Sequence, residues 1–448
     1  MLNSSPAFQK MKEHCIRKPI ADPSIVWDRS VYDTFILCED SLCDPNKVLF
    51  CSQFAGIIKP YRYGDFSERC RLISWEYNFE RGEFWGGLVK SFADITLSNY
   101  DGRYSYFYNA PFYDCNDNEV SVKEGYNTNP GLPLKLRTGF RWKDDNCQTQ
   151  EELITRFIGY STDYPDITSS DGARSTARIH FEDAIAVIED YPIPYDINIS
   201  NLQVAAAIGQ VLASINVTSY YYPDIGTRFV SFTAQAGEKV GDILKKLVFL
   251  ELGYFYQNEN GVLIFETLDY LNNKNDSAPV KVLDTYNHIV DISQESWNDI
   301  KNIITVKKDN TTSYTAKSVG SISVYGASEL TITNEYISDA AECEYLANKL
   351  LNLHSFGTRK RTITIIADPT LQVGDKITIK ERVTKDKRTG CCKPIHQKTD
   401  YLITRINGSG QLPYIQKLVL NRIGIAKKCF VLCETQLCDL NHALCECS

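Results

Sequence analysis

The sequence predicts a β-rich α+β protein built from several domains. Segments in which apolar and polar residues alternate, as they do in half-buried strands, recur along most of the chain. Tyr and Phe, which favour strands and interfaces, number 27 and 20, against 2 Met and 5 Trp. A length of 448 residues allows about two to four domains with sizeable cores.

Neither charge nor hydropathy points to nucleic acid or to a bilayer. The net charge of -8 gives the whole chain no electrostatic footprint for nucleic-acid binding. No apolar run approaches the roughly 18 residues of a membrane-spanning helix, and residues 1–18 lack the apolar stretch of a secretory signal. We therefore expect folding in a cytosol, where the 15 cysteines are free thiols or metal ligands rather than disulfides.

The first part of the chain predicts an arm and then a β domain. Residues 1–55 lack sustained periodicity, which is typical of an extended arm that wraps a neighbour. Residues 56–197 predict a first β domain, because apolar and polar residues alternate in several of its segments. Those segments are 95–98, 134–138, 156–160 and 178–183. Prolines within 191–195 break the pattern and mark the boundary.

Residues 198–275 predict a small α+β domain. Apolar residues at helical spacing indicate helices over 201–215 and 238–252. Gly253 follows the second helix, where we expect a glycine in the left-handed conformation to end it. Asn260-Gly261 lies between two apolar runs and predicts a hairpin with a type I′ turn.

Residues 276–425 predict a second β domain, and residues 426–448 a cysteine-rich tail. A helix over 338–354 begins where Asp339 and Glu342 have the spacing of a capping box. Strands are expected around it at 303–306 and 362–365. A turn at 368–375 then leads into a strand, and the domain ends in a hairpin over 401–423.

Several short motifs occur in a fixed order along these domains. They are N-x-D-G at 99–102, F-x-G at 157–159, G-Y-x-x-Y/F near 253–256 with its last aromatic one residue early, N/D-G-x-L-x-F at 260–265 and D-P-x-L-x-x-G-D-x-I at 368–377. In this order they resemble the baseplate hub, or tail hub, of tailed phages and of related contractile injection machines. The resemblance spans residues 70–425.

The resemblance implies an architecture, an assembly and a location. Such hubs have tube-like β-barrel domains and assemble as homotrimers with pseudo-sixfold symmetry. They close the tail tube, surround its lumen and dock the spike or fibres. The partners implied are tail-tube and distal tail proteins, spike or fibre proteins, tape measure protein and transiting DNA. The implied location is the virion tail, after assembly in the cytoplasm of a bacterial host.

We expect a structural protein rather than an enzyme. The sequence carries no peptidase or lysozyme extension, so the resemblance does not imply cell-wall cleavage. It also lacks the H-E-x-x-H, G-x-S-x-G and phosphate-loop motifs. The alternatives are a glycan-binding or cell-wall-degrading tail protein, whose tyrosines would stack on sugars, and a metal-dependent redox or regulatory protein.

Cysteines cluster at both ends of the chain. The segment 35–44 recurs as 430–439 with seven of ten positions identical. The candidate metal ligands are Cys433, Cys438, Cys445 and Cys447, whose thiolates would bind zinc or an iron–sulfur cluster. The pairs lack the tight C-x₂-C spacing, so two alternatives remain. These cysteines are small buried apolar residues, or they form disulfides after virion release.

Two further groups have both a chemical and a structural interpretation. Cys391, Cys392 and His396 belong to a basic loop over 385–398, which is either a ligand cluster or a solvated loop facing a partner or DNA. His180 and Glu182 share one face of a strand. That placement suits acid–base chemistry, and it equally suits a structural hydrogen bond.

The metal hypothesis makes a direct prediction. If the four C-terminal cysteines hold a metal, the purified protein will contain zinc or iron at near-stoichiometric levels by elemental analysis. Replacement of Cys433 and Cys438 by Ser will then remove most of that metal, because a site with two ligands left cannot hold it. Protein with neither element would overturn the hypothesis.

Overall fold

The structure is a computed structural model, and it confirms the β-rich α+β prediction. It describes residues 4–5, 18–25, 71–80, 87–99, 104, 112–113, 119–120, 130–143, 148–168, 175–275, 278–285, 288–293, 296–297, 300–355, 359–383, 395–410 and 415–422. Within these ranges the chain forms 25 strands and six helices. No helix of the described part is both long and apolar enough to span a membrane.

The strands fall into two blocks, one before and one after the first helices, with short strands between them. The first block is β1 (Lys18–Ile25), β2 (Leu72–Glu80), β3 (Gly87–Val89), β4 (Ser91–Ser98), β5 (Phe112–Tyr113), β6 (Glu119–Val120), β7 (Pro133–Lys143), β8 (Thr149–Ser161), β9 (Asp166–Thr168) and β10 (Thr176–Glu182). The middle strands are β11 (Ile197–Gln203), β12 (Tyr220–Tyr221), β13 (Phe229–Ala234), β14 (Tyr254–Gln257) and β15 (Leu263–Glu266). The second block is β16 (Lys281–Asp284), β17 (Ile289–Ile292), β18 (Ser296–Trp297), β19 (Ile303–Lys307), β20 (Ser313–Lys317), β21 (Glu329–Thr333), β22 (Arg359–Ile366), β23 (Lys376–Val383), β24 (Ile395–Ser409) and β25 (Ile415–Arg422).

The helices lie between the two blocks and inside the second one. They are α1 (Ala184–Glu189), α2 (Val204–Ser214), α3 (Val240–Leu250), α4 (Leu268–Asn275), α5 (Val319–Tyr325) and α6 (Ala340–His354). The predictions of helices over 201–215, 238–252 and 338–354 are confirmed by α2, α3 and α6. Asp339 caps α6 by accepting from the Glu342 backbone N–H at 2.9 Å. The Glu342 side chain accepts from the Ser338 N–H at 2.7 Å, one residue before the position that a capping box uses.

One 14-stranded sheet joins the two blocks. Its central order is β1-β7-β8-β10-β4-β2-β24-β25-β22-β17, with β9, β16, β18 and β23 paired at its sides. The blocks meet where β2 pairs antiparallel with β24, from Glu76 opposite Ser409 to Glu80 opposite Arg405. Strand β1 belongs to the predicted N-terminal arm, yet it pairs with β7 along its whole length. This part of the arm therefore packs on its own chain.

Buried side chains form two cores, and each core uses separate segments of the chain. The first core lies against the large sheet and includes Tyr77, Ile95 and Phe157 as well as Ile363 and Ile403. The second core takes its side chains from 185–265 and from 304–350, so it contains α2, α3 and α6. The predicted domain boundaries stay a prediction. The packing places helix α6, which we predicted within the second tube-like domain, in the core of the small α+β segment.

The end of helix α3 differs from the prediction, which gave Gly253 the left-handed conformation. Leu252 takes that conformation instead, with a φ of 47°, and Gly253 donates its N–H to the Val248 carbonyl at 3.1 Å. Glycine is required at 253 for space, because a Cβ there would collide with the Glu266 carbonyl oxygen. A glycine after a helix therefore indicated the helix end correctly but for a different physical reason.

The hairpin after α3 is present, but the type I′ turn predicted for it is wrong. Five residues, 258–262, join β14 to β15, and Gly261 has a positive φ of 82° while Asn260 does not. The turn is organised by the Asn258 side chain, which accepts from the N–H groups of Asn260 at 3.0 Å and Val262 at 2.9 Å. An Asn side chain that imitates a backbone turn replaces the two left-handed residues that type I′ needs.

A fully buried arginine holds the two blocks together. Arg156 of β8 donates from Nη1 to the carbonyls of Pro369 at 2.9 Å and Leu371 at 2.8 Å. Its guanidinium carbon lies 5.2 Å from the Tyr77 ring centroid and 5.7 Å from that of Phe79. The bonded carbonyls belong to the predicted turn at 368–375, which the structure confirms as a turn leading into β23. The carbonyls of this turn therefore accept the hydrogen bonds of a buried charge from the other block.

Replacement of Arg156 should destabilise the protein strongly. Arg156→Met leaves two buried carbonyls without their donor, so we expect a loss of about 2–5 kcal/mol in the free energy of unfolding. Arg156→Lys should lose less, because it keeps a charge but not the planar fork. Urea unfolding measures both. Arg178→Met is the control, since its exposed ion pair with Asp94 is worth at most about 1 kcal/mol. Equal losses in the Arg156→Met and Arg178→Met variants would contradict this role.

Candidate functional site

A cleft of ≈ 250 Å³ lies between the two cores. Its floor is the outer face of a four-stranded sheet with the order β12-β15-β14-β3. Tyr221, Ile264, Tyr256 and Val89 are paired in register across those four strands, so their side chains form one row. The floor is therefore mostly aromatic and aliphatic.

The walls of the cleft come from the large sheet and from the hairpin turn. Phe79 and Glu80 of β2 line one side, together with Gln372 of the turn at 368–375. Gln372 donates from Nε2 to Glu259 Oε2 of the hairpin turn at 2.8 Å. The hairpin is thus hydrogen-bonded to the same turn whose carbonyls accept from Arg156.

A second bridge is made by Gln257, which lines the cleft. The Gln257 side chain donates from Nε2 to the Ile158 carbonyl at 2.7 Å. Its Oε1 accepts from the Ala184 N–H, at the start of α1, at 2.8 Å. Ile158 is the middle residue of the F-x-G motif, so this motif, the hairpin motif and the turn motif converge at the cleft. These three motifs thus contribute to the contacts between the two cores.

Carboxylates dominate the charge of the cleft. Glu80, Glu259 and Glu266 line it, and the described lining contains no Lys or Arg side chain. Arg405 of β24 forms an ion pair with Glu80. Glu259 is 6% exposed and its bond from Gln372 comes from a neutral amide. The cleft is therefore acidic, and its lining favours hydrogen-bond donors over anions.

Beside the cleft, a buried carboxylate joins the sheet to helix α1. Asp183 caps α1 by accepting from the N–H groups of Ile185 at 3.1 Å and Ala186 at 3.3 Å. Its second oxygen accepts from the N–H of Ser91, a cleft residue, at 2.6 Å. Burial raises the pKa of Asp183 to about 7, although these hydrogen bonds favour the charged form. Protonation of the Asp183 carboxyl is therefore coupled to the contact that it makes between the sheet and helix α1.

The residues that the sequence singled out for chemistry do not lie in the cleft. Cys433, Cys438, Cys445 and Cys447 lie outside the described residues, as do Cys391 and Cys392. His396 falls within β24. Among the residues that the structure describes, no three His, Cys, Asp or Glu side chains are grouped to hold a metal ion. The predicted metal site stays a prediction.

His180 forms an ion-pair row on the outward face of the large sheet. Its Nδ1 lies 2.9 Å from Asp94 Oδ1, and its Nε2 lies 3.6 Å from Glu182 Oε1. The hydrogen bond with Asp94 raises the pKa of His180, against the opposing effect of partial burial. Arg178 also contacts Asp94, at 3.2 Å. This geometry is that of the structural hydrogen bond considered above, with His180 held between two carboxylates.

The cleft residues Tyr221 and Glu259 were not singled out in the sequence, and Tyr256 entered only as the last aromatic of the motif at 253–256. Alternation in 254–257 and 263–266 indicates which side chains share a face of the hairpin. It does not indicate what covers that face. The cover comes from residues 79–80 and 372–373, more than 100 positions away in sequence, so no local signal was available for the cleft.

Comparison with known proteins supports the fold. No protein-family model matches this chain, and no curated protein sequence is significantly similar to it. Among solved structures, a tail protein from Neisseria meningitidis MC58 is similar with a TM-score of 0.53 and 11% identity, over 91% of this chain and 97% of that one. This similarity shows a shared fold, so the resemblance to tail hubs is confirmed at the level of fold.

Two other solved structures match less well. The 43 kDa tail protein of prophage MuSo2 from Shewanella oneidensis has a TM-score of 0.47 and 14% identity, over 78% of this chain and 97% of that one. The prophage tail protein gp18 from Listeria monocytogenes EGD-e has a TM-score of 0.38 and 11% identity, over 81% of this chain and 91% of that one. These lower TM-scores add nothing to the conclusion on fold.

The buried Asp183 predicts a pH dependence of stability. The folded state keeps the proton up to about pH 7, whereas the unfolded chain releases it near pH 4. The stabilisation is therefore complete below pH 4 and is lost as the pH rises to 7, by a few kcal/mol. Asp183→Asn should flatten that slope in urea unfolding measured from pH 4 to 7. Asp190→Asn, at the exposed end of the same helix, should leave the slope of stability against pH unchanged. A slope unchanged in Asp183→Asn would refute the coupling.

Proposed function

We propose that this protein is a structural virion protein, the hub of a phage baseplate or tail tip. In this role it joins the tail tube to the spike or fibres and surrounds the DNA channel as a homotrimer. The observation that carries the proposal is the shared fold with a tail protein over 91% of this chain and 97% of that one. An end-to-end match of this kind supports a role for the whole chain rather than for one appended module.

Unpaired sheet edges favour assembly. Among the described strands, β16 pairs only with β23, and β17 pairs only with β22. The same region exposes apolar side chains: Val282 is 47% exposed, Val290 61% and Ile366 48%. A strand edge with exposed valines is a liability in a monomer, because it invites pairing with another chain. In a ring of identical subunits the same edge is buried in an obligate interface.

The mechanism of a hub is assembly rather than chemistry. Edge strands of one subunit would add to a neighbouring sheet by backbone hydrogen bonds, and apolar side chains would exclude water between them. Tube-like β domains would then line the channel. The tail-tube, distal tail, spike, fibre and tape measure proteins are the partners proposed for the two ends of this ring and for its lumen.

Mass and location test the hub directly. Native mass spectrometry of the isolated protein should give three times the chain mass of 50.9 kDa, and imaging of the intact particle should place three copies around the tail axis. Assays on peptidoglycan and capsule should show neither cleavage nor binding. A stable monomer that cleaves or binds these glycans would contradict the hub proposal. It would favour the alternative, a glycan-binding or cell-wall-degrading tail protein.

Charges on the exposed edge should prevent assembly without unfolding the subunit. Val282→Lys and Val290→Lys place an ammonium group where the proposal buries a valine, so the double variant should run as a monomer in native mass spectrometry. Its urea unfolding midpoint as a monomer should hardly change, because both side chains are exposed. Thr333→Lys, at an exposed position of β21, is the matched control and should remain trimeric. A trimeric double variant would remove this edge from the interface.

A further inference from the structure

We propose that Asn260 is a site of spontaneous deamidation, and that its conversion loosens the contact between the hairpin and the turn at 368–375. Asparagine is chemically labile, because its side chain can lose ammonia and become a carboxylate. This inference is independent of the hub proposal, since it depends only on the hairpin that follows α3.

The reaction needs only the asparagine, the next backbone nitrogen and water. That nitrogen attacks the side-chain carbon Cγ, so an N–Cγ bond forms and the Cγ–Nδ2 bond breaks. The proton of the nitrogen leaves with Nδ2 as ammonia, and a cyclic imide remains. Water then opens the imide at one of its two carbonyls and gives aspartate or isoaspartate. A following glycine favours the attack, because it has no side chain to shield the nitrogen or restrict the backbone.

The pair Asn-Gly occurs twice in the sequence, at 260–261 and at 407–408. Asn260 is exposed, in the turn that joins β14 to β15. The Gly261 N–H donates to the Asn258 carbonyl at 3.0 Å, so this bond must open before the nitrogen can attack. Only a short surface turn has to move, and local openings of this kind cost little free energy. The first pair is therefore accessible to the reaction in the folded protein.

The second pair is protected by the large sheet. Gly408 lies within β24, opposite Tyr77 of β2 on one side and Gln416 of β25 on the other. The Tyr77 ring also fills the space into which a side chain at 408 would project. Reaction at Asn407 therefore requires the separation of strands inside the sheet, which costs a large part of the global free energy of unfolding. The fold thus selects Asn260 from two chemically equivalent pairs.

Conversion changes the turn that holds the hairpin to the large sheet. The Asn258 side chain accepts from the N–H groups of Asn260 and Val262. Isoaspartate at 260 adds one atom to the backbone between those two groups, so both bonds cannot keep their geometry. Either product also places a carboxylate beside Glu259, whose nearly buried side chain accepts from Gln372, and like charges repel. Both effects weaken the contact between the hairpin and the turn.

Peptide mapping by mass spectrometry tests the site. The full chain is aged at mildly alkaline pH, folded or in guanidinium chloride, and the converted fractions of Asn260 and Asn407 are followed with time. In the folded protein Asn260 should convert roughly tenfold or more faster than Asn407. In denaturant the two rates should agree within about threefold, because the fold no longer separates them. Equal rates in the folded protein, or an Asn260 that converts only in denaturant, would overturn the proposal.

Hydrogen exchange tests the consequence. Amide exchange in segments 254–266 and 368–375 should become roughly twofold or more faster in aged than in fresh protein. Asn260→Gln is the control, because glutamine would need a larger ring and loses ammonia far more slowly. After the same ageing this variant should exchange like fresh protein. Exchange that speeds up equally in the variant, or that stays unchanged in wild type with Asn260 converted, would show that conversion does not loosen the contact.

Discussion

The buried guanidinium of Arg156 is the constraint on which the arrangement of the two blocks depends. A charge removed from water costs several kcal/mol unless hydrogen bonds and polarisable groups replace the solvent. Here the carbonyls of Pro369 and Leu371, both bonded to Nη1, and the rings of Tyr77 and Phe79 supply part of that replacement. Those carbonyls point inward only while the turn at 368–375 keeps its shape. The solvation of one block's charge therefore requires the backbone of the other.

Side-chain caps explain how that turn keeps its shape. Asp368 accepts from the backbone N–H of Thr370 at 3.1 Å and from its hydroxyl at 2.6 Å, and Asp375 accepts from the Gln372 N–H at 2.8 Å. Gly374 supplies the positive φ, 87°, that a side chain would resist. Asp368, Gly374 and Asp375 of the D-P-x-L-x-x-G-D pattern thus each help to shape the turn. The same turn then bonds to the hairpin through Gln372, so one short segment organises the sheet, the buried charge and the cleft.

The sequence was most informative where a local rule decides the structure. Helices α2, α3 and α6, the strands at 303–306 and 362–365, and the turn at 368–375 follow from periodicity, caps and turn residues. The errors lie where a tertiary contact decides instead. Position 253 requires glycine because a side chain there would collide with the carbonyl of Glu266 in β15. The turn is organised by the Asn258 side chain rather than by a type I′ turn at Asn260-Gly261. Arg156 sits in an alternating strand that predicts half burial, and only the fold shows that its charge is fully enclosed. The cleft could not be predicted at all, because its floor and its walls come from different cores.

The division of polarity on the large sheet indicates how such subunits would meet. Its outward face carries Arg178, His180 and Asp94 in a row, and Glu80 pairs with Arg405 on the neighbouring strands. Burial of that face against another protein would strip water from several charges, at a cost that exposed ion pairs do not repay. The strands β16 and β17 carry the exposed side chains of Val282 and Val290, whose burial is favourable. Contacts through these strands therefore cost less in desolvation than contacts through the charged face, which favours a subunit whose charged face stays in water.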